Sequence, residues 1–543
     1  MNVGTGVPDT PPRRFPFRAS EEVGLRLTEP IAGGVEPSQG STYRRPPWTF
    51  GSGAAVGTLF ARALALVSIV AWLSLGSQVH LLVGSRGLLP VADLIQAARA
   101  EPGVTWRDLP TLLWWFPSDA ALSAGIAVGV ALSLCALLGF ARRICFALSA
   151  LLYLSYVTVA RDFLFFQWDS LLIETSLLAA FLPTLPTSRA APVAHLVFRL
   201  LLFKLYFESG IAKWTSPLHD WHDGSAMTYY YETAPLPTWL AWRAHHLPVW
   251  WHHFESRATL VLELIFPFGI FGPRPVRRFT AVAFTLFQIG NAATANYGFF
   301  CYLSVVLGVF LLDDDDIERA RARVARMGGV LTRLFRPRPP PAPEPPRATG
   351  GVGKYAAWAG AGLFALVSLA DGCNTFGAPI PELAPLLELD RTLHAVNSYH
   401  LFASITRERI EPEFQTLAAG PADAAPDTAW TPHHMWHKPG DVNRPPDFVA
   451  PHQPRVDFRL WFYGLGFQRR APAYVTALLE RLCSDPDAVQ QLFRAPLPRN
   501  PAAVRIVYWQ YWITSPDEER ATGAWWRRAR VAASRAVPCA TVP

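Results

Sequence analysis

The sequence predicts a polytopic α-helical membrane bundle of about 7–9 spans, followed by an exported, strand-containing α+β domain. Three observations carry that prediction. The 543-residue chain is 51% hydrophobic and only 17% charged, too apolar for one soluble domain of this size. Apolar runs of membrane-crossing length recur through its first two thirds. The net charge of +7 comes mostly from arginines gathered at the ends of those runs, which is topogenic charge beside a bilayer rather than a nucleic-acid surface.

Residues 1–53 are rich in Pro, Gly and Arg, hold no apolar signal-peptide core, and read as a disordered cytoplasmic tail. The membrane domain, 54–312, contains runs near 58–76, 119–140, 144–160, 163–183, 196–213, 255–272, 279–296 and 298–312. A last span falls at 353–371, making nine by literal count. The run 298–312 is short, and 163–183 and 196–213 are polar enough to be re-entrant. Arg44 and Arg45, Arg142 and Arg143, Arg274, Arg277 and Arg278, and eight arginines in 317–347 all fall on one side of nine spans. The positive-inside rule makes that side cytoplasmic. The loop 214–254 and everything after 372 then lie on the exported face.

The charged and Pro-rich linker, 313–352, opens with four aspartates. Contiguous aspartates without the Gly and bidentate Glu of a calcium loop read as a solvated helix-end cluster. The run 337–346 is an extended spacer. Residues 372–543 make one exported domain of ordinary size. In it HLFASITRERIEPEFQT and VRIVYWQYWITS have strand character, while VDFRLWFYGLG, YVTALLERLCSD and DAVQQLF look helical. Its tryptophans (Trp430, Trp436, Trp461, Trp509, Trp525, Trp526) suit core packing or an interface. Of six cysteines, Cys373, Cys483 and Cys539 fall in the exported part, which permits one internal disulfide of undecided pairing.

Gln167, Asp169 and Glu174 lie in one apolar tract, and Arg199, Lys204, Glu208 and Lys213 in the next. An ionised side chain at bilayer depth costs about 3 kcal/mol, so these groups must pair, face a wet cavity or bind something. Lys204 and Glu208 are i, i+4 neighbours and can pair internally. A cross-helix pair of Glu174 with Lys204 or Arg199 would also satisfy the excess. An ion network fixing helix register and a polar cavity for a headgroup, peptide or proton path both fit. The loop 214–254 crowds His219, His222, His245, His246, His252 and His253 among tryptophans. Without HExxH or another fixed signature, that mixture reads as headgroup-level contact and no metal is expected. His452, Arg455 and Asp457 follow the turn Lys438–Asp441, but GxSxG is absent, as are a P-loop and GxGxxG. No catalytic residue, cofactor or nucleic-acid partner is expected.

The blocks QWDSLLIETSLLAAF, YYYETAPLPTWLAWRAHHLPVWWHHFE, ATLVLELIFPF, YHLFASITRERIEPE, WHKPGD and RPPDFVAPHQPRVDFRLWF run in order from about 160 to the closing WW. In these motifs the chain resembles the lipase maturation factor family. The resemblance implies a non-enzymatic membrane protein that helps secreted clients such as lipases fold and assemble. It also implies an endoplasmic-reticulum location with a lumenal C-terminal domain. The Ala-, Arg- and Pro-rich composition points instead to a high-GC bacterium, where the inner membrane and periplasm are the equivalents. Within the matching motifs, client contacts are expected at Tyr231, Glu232, Trp251, His252, Glu255, Lys438, Asp441, His452, Arg455, Asp457 and Trp461. Membrane lipids are the other partner.

The membrane part is also similar to the transmembrane region of vitamin K-dependent γ-carboxylases. That likeness implies a runner-up: an enzyme on a lipid-linked or exported substrate, with Lys204 as base. A proton-coupled transporter relaying through Asp169, Glu174 and Glu208 is a third reading, weakened by the lack of an evident inverted repeat.

Overall fold

The structure, a computed structural model, describes residues 54–182, 191–326 and 351–541. The N-terminal tail and the run 337–346 lie outside the described residues. The membrane part is built from α1 (Ala54–Gly76), α2 (Asp119–Leu138), α3 (Arg142–Val159), α4 (Gln167–Ala180), α5 (Ala191–Trp214), α6 (Val249–Leu264), α7 (Arg274–Thr294) and α8 (Phe300–Gly308). After these come α9 (Asp314–Arg326) and α10 (Gly351–Thr375).

Among the described residues, four helices are long and apolar enough to cross a membrane: α1, α2, α3 and Tyr355–Thr375 of α10. The count of seven to nine is therefore not reached by length and composition, for reasons visible in the other five runs. The run 163–183 yields a helix of only 14 residues. The 24-residue α5 carries four charged side chains. The run 255–272 breaks after Leu264 into the 3-10 turn Phe266–Phe271. In α7 a polar inner face (Arg277, Thr280, Gln288) opposes an exposed apolar one (Phe279, Leu286, Ile289). The run 298–312 gives nine helical residues and a short turn.

Of the four aspartates at this helix start, Asp315 stays exposed to solvent, while Asp313, Asp314 and Asp316 are engaged by other elements. Asp314 accepts the first three N–H groups of α1, from Ala54, Ala55 and Val56, at 3.1, 2.9 and 3.0 Å. A carboxylate at a helix N-terminus satisfies orphan donors and complements the dipole. Asp313 pairs with Arg274 and Arg277 at 2.9 and 2.8 Å, and Asp316 with Arg278. The sequence reading missed this because the partners lie far away along the chain.

The C-terminal part holds one antiparallel sheet in the order β2-β1-β3-β4. Its strands are β1 (Arg409–Leu417), β2 (Trp430–His433), β3 (Ala503–Ile513) and β4 (Trp526–Ala533), with β5 (Val537–Pro538) also paired to β3. Phe414 stands opposite Ile506 on β3 and His433 on β2. Two helices of this part, α11 (Arg455–Leu465) and α12 (Ala473–Ser484), pack on β1 and β3. Gly464 permits α11 to lie close against β1, because a Cβ there would collide with the Ile410 carbonyl. Only the second half of HLFASITRERIEPEFQT is strand; its first half is irregular chain with another purpose. Cys483 and Cys539 form a disulfide, leaving Cys373 free.

Candidate functional site

The charged inner helices receive two stretches of non-helical backbone from the C-terminal part. The first strap is 397–405. Glu174 accepts from the Asn397 backbone N–H at 3.2 Å, the Asn397 amide at 3.1 Å and the Tyr399 hydroxyl at 2.6 Å. Its other oxygen accepts from Lys204 at 2.7 Å. The i, i+4 pairing of Lys204 with Glu208 is replaced by this cross-helix pair, and Glu208 instead accepts the Tyr399 N–H at 2.7 Å. Gln167 accepts the His400 N–H at 2.9 Å. Lys213, paired with Glu263 at 2.8 Å, donates to the Leu401 carbonyl at 2.7 Å. Trp221 donates to Ala403 O and Asp220 accepts from Ile405 N, at 3.1 and 2.8 Å.

The second strap is 447–455. Asn296 accepts from Val449 N and Ala450 N at 2.8 and 2.9 Å and donates to Asp447 O at 2.9 Å. Ser74 accepts from Gln453 N, and Gln78 donates to Gln453 O while accepting from Arg455 N. The strap ends in the most deeply buried ion pair among the described residues. Arg455 grips Asp169 with two N–H groups at 2.5 and 2.8 Å, and Tyr153 donates to the same carboxylate at 2.7 Å. Arg455 and Asp169 are both fully buried. Non-helical backbone at membrane depth persists only where protein groups satisfy it. Here the side chains that look anomalous in α4 and α5 are those partners. Arg199 alone of the seven turns elsewhere, donating to Phe310 O at 2.8 Å.

The loop 214–254 is clamped to the sheet in the same manner. Arg409, fully buried, donates to the carbonyls of Glu232, Ala234 and Pro235 and pairs with Glu411, which also meets Lys438 at 2.6 Å. Burial pushes the Lys438 ammonium down against the pull of Glu411. Glu232 accepts from Ile513 N at 2.8 Å, and burial raises its carboxyl. Trp461 donates to Thr233 O at 2.8 Å. Tyr231 and His252 both turn to Glu255, at 3.0 and 3.3 Å. His452 meets Ser74 at 2.9 Å, and burial pushes its imidazole down to about 4. Asp457 accepts from His437 N at 3.2 Å, and burial raises it. Trp251 is half-buried beside Phe254. Of the eleven residues placed on the client, Asp441 is the exposed one. Among the described residues no group of three His, Cys, Asp or Glu side chains could hold a metal ion.

Residues 55–319 match the lipase maturation factor transmembrane domain, and residues 395–536 match the lipase maturation factor C-terminal domain. Lipase maturation factor 1 of Bos taurus is 31% identical over 553 residues, covering 94% of this chain and 95% of that protein. The chain belongs to the lipase maturation factor family. Lipase maturation factor 2 of Homo sapiens is 30% identical, with 87% of this chain and 80% of that protein covered. Lipase maturation factor 1 of Homo sapiens is also 30% identical, over 87% and 86%. No solved structure matches the chain. Both straps fall inside the C-terminal match, and the side chains that receive them fall inside the transmembrane match. Asn397, Tyr399, Asn296, Ser74, Gln78 and Arg409 escaped sequence reasoning, since irregular backbone has no period to betray its partners.

Proposed function

We propose that this chain is a membrane-bound, non-enzymatic maturation factor that helps secreted clients, lipases among them, to fold and assemble. The family supports the role, and one observation about the site gives it a mechanism. The intramembrane charges are engaged by the straps, so the membrane part serves as a mount that holds the exported domain rigid. The client-facing surface then falls on exposed apolar side chains of that domain. Trp436 and Phe448 stand exposed next to the Lys438–Asp441 turn and to Asp447, which Arg444 and Arg494 flank. Exposed aromatics of this kind give adaptable apolar contacts. The buried residues of the same motifs (Tyr231, Glu232, His252, Arg455, Asp457) act by positioning that surface. An enzyme with Lys204 as base gains no support from an ammonium held by Glu174 at 2.7 Å.

The layout that suits this role has nine passes. Seven are α1, α2, α3, α5, α6 with its 3-10 extension, α7 and α10; the short, buried α4 and α8 are inner passes. Arg143 beside Ala180 O, and Asp313 beside Arg277, support α4 and α8 ending where α3 and α7 begin. The arginine-rich end is cytoplasmic, and the C-terminal domain lies in a periplasm or lumen. The Cys483–Cys539 disulfide suits that oxidising side.

Deleting the gene and following lipase secretion tests the function. Secreted activity is expected to fall severalfold while lipase antigen persists in cells, with recovery by the full chain and not by W436A/F448A. Unchanged secretion would overturn the proposal. Impermeant labelling of D441C in intact inner-membrane vesicles of known orientation tests the sidedness; labelling from the cytoplasmic face would reverse it.

A further inference from the structure

Two groups of arginines sit at the same end of the bundle and meet different fates. Arg274, Arg277 and Arg278 each face a carboxylate of the Asp313–Asp316 run. Among the described residues, Arg62 and Arg142 form no ion pair with any acid. Arg62 lies on α1 between Leu59 and Leu66, which are 36% and 45% exposed and continue to the exposed Leu73. That spacing of three, four and seven residues is one helix face, and on a membrane helix an exposed leucine face meets lipid. Arg142 opens α3 and is half-buried; its Nε donates to Ala136 O at 3.2 Å near the end of α2. Trp72 of α1 donates to Ser149 of α3 at 3.0 Å, which sets Arg62 and Arg142, ten and seven residues earlier on the two helices, at a similar level.

Two neighbouring guanidinium groups thus lie at a lipid-facing seam with most of their donors unspent. The α2 carbonyl supplies a fraction of one negative charge, too little to balance two cations. Arginine about two turns inside a helix reaches headgroup level by extending along the apolar surface. Basic pockets between helices at a cytoplasmic surface bind anionic headgroups, and a planar guanidinium suits phosphate oxygens.

We propose that Arg62 and Arg142 form a site for the phosphate of an anionic phospholipid, in the leaflet at the arginine-rich end of α1 and α3. The inference rests on the membrane reading of these helices and on nothing about clients. The apolar flanks of Arg62 favour a lipid over free inorganic phosphate.

Native mass spectrometry of the full-length protein in mild detergent, with phosphatidylglycerol or phosphatidylcholine added, tests it. The wild type is expected to retain phosphatidylglycerol in preference to phosphatidylcholine. R62Q and R142Q are each expected to cut that retention about fivefold, the factor for one basic residue at a charged headgroup. R323Q, on the exposed face of α9, is expected to leave it unchanged. R62K, which keeps the charge, serves if R62Q does not fold and is expected to retain the lipid. Equal retention in the folded R62Q and R142Q proteins would overturn the site. Displacement of the lipid by millimolar inorganic phosphate would overturn the lipid assignment. Neither outcome touches the maturation role, which lipase secretion reads separately.

Discussion

Helices α1, α2, α3 and α10 differ from α4 and α5 in where they keep their charge. The first set carries it near the helix ends and shows exposed leucines such as Leu66, Leu73, Leu134 and Leu369. The second buries Asp169, Glu174, Lys204, Glu208 and Lys213 along its length. The contrast follows from what each set touches. The apolar helices leave leucines exposed, while α4 and α5 meet non-helical backbone from the C-terminal part. Buried charge in α4 and α5 marks the reception of irregular chain.

Several substitutions break or sharpen that contrast. E174L removes the shared acceptor of Lys204, Asn397 and Tyr399, and is expected to cost about 3–5 kcal/mol by leaving a buried cation alone. Thermal unfolding in detergent reads this; a shift no larger than that of L66A on the lipid-facing side would erase the distinction. C483S is expected to cost about 2–4 kcal/mol, concentrated in the C-terminal domain. The non-reducing gel mobility of the wild type should change on adding reductant, whereas unchanged mobility would remove the Cys483–Cys539 link. N296A leaves three backbone groups of the second strap without partners, for about 1–3 kcal/mol. Faster hydrogen exchange at Val449 and Ala450 is the specific readout.

The smallest expected effect is a pH dependence. Burial, aided by His434, pushes His433 down to about 4, while an unfolded chain holds it near 6.5. Between those values the unfolded state carries a proton that the folded state lacks. Stability therefore declines as pH falls from about 6.5 towards 4 and levels off below. Burial pushes His245 down to about 4 as well, in the same direction. Unfolding temperatures across that window check the sign, and H433N is expected to flatten the slope. A slope that steepens in H433N would contradict the buried neutral imidazole.

The family and the membrane character of the chain were legible in its motifs and hydropathy. The seven polar residues of α4 and α5 stood out because charge in an apolar tract is conspicuous. Their partners did not stand out. Arg455 looked like a neighbour of His452 and Asp457, since spacing reports proximity within a segment and says nothing of a carboxylate 286 residues away. The same limit hid the Asp313–Asp316 clamp. Length and composition alone mark four spans among the described residues, because a helix with a polar inner face and an apolar outer one averages to an ambiguous hydropathy.

A double-mutant cycle on Asp169 and Arg455 tests the central claim most directly. Unfolding free energies of the wild type, D169N, R455M and the double variant isolate the coupling between an α4 carboxylate and the second strap. The account expects each single change to cost about 3–5 kcal/mol and the double to recover much of it, because a lone buried charge is costlier than none. Single effects that add to within about 0.5 kcal/mol would mean the two groups do not meet, and the straps would not be held as described.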